Sequence, residues 1–277
     1  MAAAPAEGRT AEKTVLLTGA AGGVGTLMRR LLPPYGYRLR PFDVVPLPDE
    51  PEAITADLND REALRAAVRG TDAILHLAGI SLESTFEKIL RANIEGTYHL
   101  YEAAREEGVR RVVFASSNHA VGYTPWPAAT DPRVPVTVPH RPDTFYGLSK
   151  CFGEDLAQLY WDKHGIETVS VRIGSCFPEP RNVRMLSVWL SPADAARLFH
   201  AALTATDVGH TIVYGASANT RGVWDLSAGE ALGYTPLDDS EPFAEKLLAE
   251  QGELDPSRPD QAYLGGPFVT DPPIWPH

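Results

Sequence analysis

Residues 14–25 read Thr14-Val15-Leu16-Leu17-Thr18-Gly19-Ala20-Ala21-Gly22-Gly23-Val24-Gly25. An apolar run, a glycine turn and the start of an amphipathic stretch follow one another. That is the pattern of a buried strand passing into a helix. Glycine lets the turn form, lets backbone approach a pyrophosphate and lets helix pack on strand. The helix N-terminus then offers N–H donors and partial positive charge to phosphate. The residues assigned to this contact are Gly19, Ala21, Gly22, Gly23, Val24 and Gly25. A glycine turn alone is also a common structural feature that binds nothing.

Outward from this stretch, apolar runs alternate with amphipathic ones through two-thirds of the chain. Strands are expected at 14–17, 38–42, 53–55, 73–77, 111–115, 168–173 and 211–214, with helices at 23–32, 61–69, 86–107, 146–164 and 192–203. This implies an α/β fold, a Rossmann-type doubly wound parallel sheet with a small C-terminal substrate-binding part. One domain is expected over 13–252, with substrate-binding insertions near 175–192 and 215–252. A mobile tail at 1–12 precedes it and an extended arm at 253–277 follows. Shorter helices are expected at 225–232 and 241–251, and the proline-rich 123–143 is expected to be a long surface loop.

The 277 residues are 44% hydrophobic and 22% charged, which is ordinary for a globular chain. The net charge of −11, with no basic stripe, argues against a nucleic-acid partner. No apolar run approaches a membrane span and no secretory signal pattern appears at the start. Two cysteines, Cys151 and Cys176, suggest no disulfide framework, so the expected setting is cytoplasmic. No metal-ligand spacing occurs, and no metal is expected.

Further cofactor contacts are expected at the carboxyl ends of the strands. Asp43, a little over twenty residues beyond the glycine turn, suits the adenosine ribose and disfavours a 2′-phosphate. Arg38 and Arg40 fall within a strand rather than after it, so NAD is expected rather than NADP. Asp57 and Leu58 are placed at the adenine, and Leu77, Ala78 and Gly79 beneath the nicotinamide ribose. Asn93, a poor helix former in mid-helix, is assigned to the cofactor site as support for the Lys150 region. Ser116, Tyr146, Lys150, Ile173 and Ser175 complete that set.

The catalytic group is read from Tyr146 and Lys150, four residues apart and therefore on one helix face, with Ser117 at a strand end. A free phenol titrates near ~10. A nearby ammonium and a positive nicotinamide are expected to pull it down and make it a base. Ser117 can share stabilisation of the reacting oxygen, or simply cap the next helical turn. His119 beside it stands above the chain's other histidines as a substrate contact. Arg184, on residues alone, reads most plainly as a surface arginine, though a guanidinium there can grip a carboxylate.

Together Thr18-Gly19-x-x-Gly22-x-x-Gly25, Asp57, His76-Leu77-Ala78-Gly79, Asn93, Ser117 and Tyr146-x-x-x-Lys150 resemble the extended short-chain dehydrogenase/reductase superfamily, and HLAGIS at 76–81 is similar to one family within it. VFASSNH at 113–119, YGLSKCFGE at 146–154, RIGSCFPEP at 172–180, RMLS at 184–187 and YGASAN at 214–219 are similar to its uronate dehydrogenase family. The resemblance covers roughly 13–251. It implies NAD-dependent oxidation of the C1 hydroxyl of D-galacturonate or D-glucuronate to an aldarolactone. It also implies substrate contacts from Ser81, Ser117, Asn118, His119, Tyr146, Ser175 and Arg184, with Arg184 on the carboxylate. A homo-oligomer formed through the 86–107 and 146–164 helices is implied as well. The N-terminal tail and the 125–142 loop depart from the family pattern. Two alternatives stay open: an NAD-retaining nucleotide-sugar epimerase or dehydratase, and a non-enzymatic NAD(P)-sensing module.

Overall fold

The computed structural model describes residues 12–128, 133–272 and 274. The tail expected at 1–12 lies almost wholly outside the described residues, and so does the end of the arm. Seven parallel strands form one sheet in the order β3-β2-β1-β4-β5-β6-β9. They are β1 (Lys13–Thr18), β2 (Tyr37–Asp43), β3 (Ile54–Thr55), β4 (Ala73–His76), β5 (Arg111–Ser117), β6 (Glu167–Ile173) and β9 (His210–Gly215). β7 (Ser175–Cys176) and β8 (Trp189–Leu190) make a separate two-stranded parallel pair that the sequence pattern did not reveal. The order reverses between β1 and β4, and such a switch point opens a crevice at the carboxyl ends of the strands.

Helices cover both faces. α1 (Gly23–Leu31) and α7 (Pro192–Thr204) pack on one side, where Val15, Leu17, Met28, Leu75, Val171 and Phe199 are buried together. α2 (Arg61–Val68), α4 (Gly96–Glu107) and α5 (Phe145–His164) cover the other around Leu16, Leu64, Ile74, Tyr101 and Leu156. Neighbouring residues Leu16 and Leu17 point to opposite cores, as a strand buried on both faces requires. Short helices α3 (Phe86–Ile89), α6 (Met185–Val188), α8 (Ser227–Ala231) and α9 (Ala244–Gln251) complete the chain. Among the described residues no helix is long and apolar enough to cross a membrane.

One expectation changes. The single helix at 86–107 is interrupted by a π-helical segment, Leu90–Glu95. There Asn93 turns its amide away from the helix: Oδ1 accepts from Ile80 N at 2.8 Å, while Nδ2 donates to Ile80 O and Ser149 Oγ, each at 2.9 Å. The described residues of the 123–143 segment form a loop, as expected, and it is held in place. Its carbonyls serve as anchors, Pro135 O accepting from Tyr214 Oη and Val136 O from Arg172 Nη1. Val134 exchanges backbone hydrogen bonds with Val223 and Asp225 beside buried Trp224. The arm packs on its own chain, where Trp126 N donates to Ala262 O and Leu264 N to Thr124 O.

Candidate active site

A cavity of about 1200 Å³ runs along the carboxyl edge of the sheet, from the β1–α1 turn to the arm. At its first end Gly19 takes φ +71°, and a side chain there would strike the backbone of Ala78. At Gly25 a Cβ would collide with the Gly19 carbonyl. These two glycines are needed for close approach of turn, helix and neighbouring strand. Helix α1 starts at Gly22 with no side-chain cap and no acidic residue in its first turn. Its N–H groups and positive dipole end therefore face the cavity uncompensated, which suits a phosphate.

Asp43 Oδ2 accepts from Ala21 N at 2.9 Å and Oδ1 from Val45 N at 2.9 Å, so the end of β2 holds the turn. Arg38 is paired with Glu52, and Arg40 donates to the carbonyls of Ala67 and Arg69. Both guanidiniums are thus committed away from the ribose position. The Asp57 carboxyl lies below its ordinary range, chiefly because the Asn59 backbone N–H bonds it. Residues suited to NAD phosphates, ribose and adenine are therefore in place, and the fit extends through Leu58, Leu77, Ala78, Gly79 and Ile173, which line the same wall.

At the other end the catalytic candidates converge. Ser117 ends β5, buried, and its Oγ accepts from His119 N at 3.2 Å as the cap of a 3₁₀ turn. The capping and catalytic readings thus describe one residue. Ser116 is committed elsewhere, donating to Glu154 Oε1 at 2.5 Å; Glu154 in turn pairs with buried Arg172 and with His140. Helix α5 starts at cap residue Thr144, whose Oγ1 accepts from Gly147 N at 2.9 Å. This presents Tyr146 and Lys150 on one buried face.

Lys150 Nζ donates to Ala115 O at 2.7 Å and lies 5.6 Å from the centre of the Tyr146 ring. The expected lowering of the phenol does not occur in the protein alone. Burial pushes Tyr146 up to about 12, the Ser117 hydrogen bond opposes this, and the charge of Asp143 adds to it. Burial likewise brings Lys150 down to about 8, against the attraction of Glu154. Burial is the largest influence on each.

Beyond Tyr146 lie Ser81, Asn118, His119, Ser175 and Arg184, all lining the cavity. The Asn118 amide bridges the site, its Nδ2 donating to Ile173 O and its Oδ1 accepting from Arg184 Nη2 at 2.7 Å. Arg184 also donates through Nε and Nη2 to the Leu264 carbonyl. Among the described residues it has no carboxylate partner within ion-pair distance, and burial brings it down to about 10. It is not the surface arginine of the plain reading. Of the residues assigned from sequence, Asn93 alone does not line the cavity. Its role is to hold Ile80 and Ser149, and at Gly79 (φ +137°) a side chain would crowd its amide.

Sequence reasoning gave the arm no part in the site and did not single out Asp143. Tyr263, Gly265, Pro267 and Phe268 close the substrate end of the cavity, and Phe268 packs edge-on against His119 at 4.1 Å. The His119 Nδ1 to Asp143 Oδ2 distance is 2.6 Å. No periodicity marks the arm, although Gly265-Gly266 hinted at a close approach. Cys176 lines the cavity with its thiol pushed up to about 12 by burial.

The model of the NAD dependent epimerase/dehydratase family matches residues 15–195. Uronate dehydrogenase from Pseudomonas syringae pv. tomato is 48% identical over 94% of each chain. The chain belongs to the NAD dependent epimerase/dehydratase family. Within that family it also matches the crystal structure of glucuronic acid dehydrogenase from Chromohalobacter salexigens, with TM-score 0.88 and 47% identity over 94% of this chain and 97% of that one. A tyrosine-to-alanine mutant of uronate dehydrogenase from Agrobacterium tumefaciens, complexed with NAD, matches at TM-score 0.88 and 47% identity over 95% and 99%. The family model's match covers the glycine turn, the Tyr146 helix and the Arg184 segment.

Proposed function

We propose that this chain is an NAD-dependent uronate dehydrogenase, oxidising the C1 hydroxyl of cyclic D-galacturonate or D-glucuronate to the aldarolactone. The observation that carries this is Arg184, which has no carboxylate within ion-pair distance among the described residues and lines the same cavity as Tyr146 and Ser117. A partly buried guanidinium is costly unless an anion completes it. A substrate carboxylate does so with two parallel bonds.

When bound, NAD⁺ supplies the acceptor for the C1 hydride and a positive ring that favours the phenolate. Tyr146 takes the proton of the C1 hydroxyl as the C1–H electron pair leaves, and a C1 carbonyl, the lactone, results. Ser117 hydrogen-bonds the same oxygen and stabilises the charge that develops on it. Lys150 contributes its positive charge near the phenol, and Asn118 keeps Arg184 oriented. A cytoplasmic, self-associating enzyme fits this reading. The relatives' names, the Arg184 guanidinium and the paired Tyr146 and Lys150 all support it.

The test is NADH absorbance on mixing the protein with NAD⁺ and, separately, galacturonate, glucuronate, neutral galactose and a UDP-sugar. A rise with the uronates alone is expected. No net NADH, with interconversion of the UDP-sugar, replaces this reading with an epimerase.

A further inference from the structure

Asp143 is the last residue of the proline-rich segment, one position before the cap of α5. Its side chain is 0% exposed. Gly122, Gly147 and Gly265, from three separate segments, close around it so tightly that a side chain at any of them would crowd the carboxylate. Oδ1 accepts from Thr144 Oγ1 at 3.0 Å and Oδ2 meets His119 Nδ1 at 2.6 Å. Capping does not explain the residue, because Thr144 already caps the helix. A carboxylate enclosed this way needs a donor.

The donor is the imidazole. A carboxylate only accepts, so Nδ1 must carry the proton. The ring lines the cavity between Tyr146, at 5.8 Å between centroids, and Phe268. Nε2 has no hydrogen-bond partner among the described residues. Second-partner control of a histidine's tautomer is a general device for fixing what its other nitrogen does.

Resting on the reading of the site as a uronate dehydrogenase, we propose that Asp143 is a positioning residue: it fixes the tautomer and plane of His119 so that Nε2 accepts a hydrogen bond from a hydroxyl of the sugar acid. Arg184 then takes the carboxylate at one end of the substrate, Tyr146 and Ser117 take C1, and His119 reads a hydroxyl. Asp143 itself touches no substrate.

The experiment uses the full chain labelled with ¹⁵N-histidine. Long-range ¹H–¹⁵N correlation at pH 8 reads the His119 tautomer without substrate, the signal being assigned by its loss in His119→Gln. Wild type is expected to carry the proton on Nδ1, and Asp143→Asn to move it to Nε2. In kinetics, Asp143→Asn raises the uronate KM about tenfold, the loss of one hydrogen bond of ordinary net strength, while the NAD⁺ KM stays within about twofold. On the His119→Gln background the same substitution adds less than about twofold, because the two act as one unit.

A wild-type His119 protonated at Nε2 overturns the proposal whether or not the Asp143 variant folds. So does an additive effect of the two substitutions, or an NAD⁺ KM that rises with that of the uronate. If wild type oxidises no uronate, the proposed function fails, and the tautomer measurement still judges the Asp143 arrangement separately.

Discussion

At the scale of single residues, the site divides into groups that react and groups that hold. Tyr146→Phe removes the proton acceptor and leaves the cavity shape. Turnover should fall at least about 10²-fold, within the usual range for general acid–base groups, with the NAD⁺ dissociation constant nearly unchanged by fluorescence titration. Retained turnover would mean that the base lies elsewhere. Arg184→Ala removes a charge-assisted contact ordinarily worth about 1.5–3 kcal/mol. The uronate KM should rise roughly 10- to 100-fold and the NAD⁺ KM should not. Tyr146, Lys150 and Ser117 were legible because spacing on a helix and position at a strand end survive in the letters. Asp143 was not, since its meaning depends on three glycines from separate segments meeting one carboxylate.

At the scale of elements, β1, α1, β5 and α5 were readable because each carries its own period, and the Rossmann order follows from connecting them. The segments that shape the substrate end carry none. The proline-rich segment is ordered by carbonyls that accept from Arg172 and Tyr214, and the arm by the Leu264 carbonyl on Arg184. Gly266 has φ +64°, and a Cβ there would stand 2.7 Å from Arg184 Cδ. Gly266→Ala therefore strains the backbone and pushes the arm off the guanidinium. Steady-state kinetics should give a raised uronate KM with unchanged NAD⁺ binding, and unchanged kinetics would show that the arm does not govern Arg184. His140 ties the proline-rich segment to α5. The Cys151 thiol first and then the Glu154 carboxylate raise it from 6.5 to about 10. The folded chain thus holds a proton that the unfolded chain has released. This stabilisation is complete below pH 6.5 and is lost as pH rises through 10. His140→Gln should flatten the decline of thermal midpoint across that interval, read by calorimetry at successive pH values.

At the scale of the whole molecule, the apolar residues left in water are as informative as the core. Leu148 and Leu159 are exposed on α5 at 44% and 49%, and their eleven-residue spacing sets them on one helix face, with Phe152 between them. Phe86 and Tyr98, in α3 and α4, are exposed as well, and Phe86 meets Phe145 edge-on. Scattered exposed leucines need no explanation, but aligned ones beside aromatic residues form a patch suited to another protein surface. The same patch lies on the back of the helix that presents Tyr146 and Lys150, so self-association there would stiffen the catalytic helix without entering the cavity. Light scattering should therefore find the chain larger than its 30.1 kDa monomer. The double substitution Leu148→Glu and Leu159→Glu should shift it toward that mass by placing like charges in the contact. Because both side chains point away from the substrate end, the variant should keep its uronate KM while losing thermal stability. A wild-type chain that runs as a monomer, or a variant that keeps the larger size, would place the association surface elsewhere or remove it.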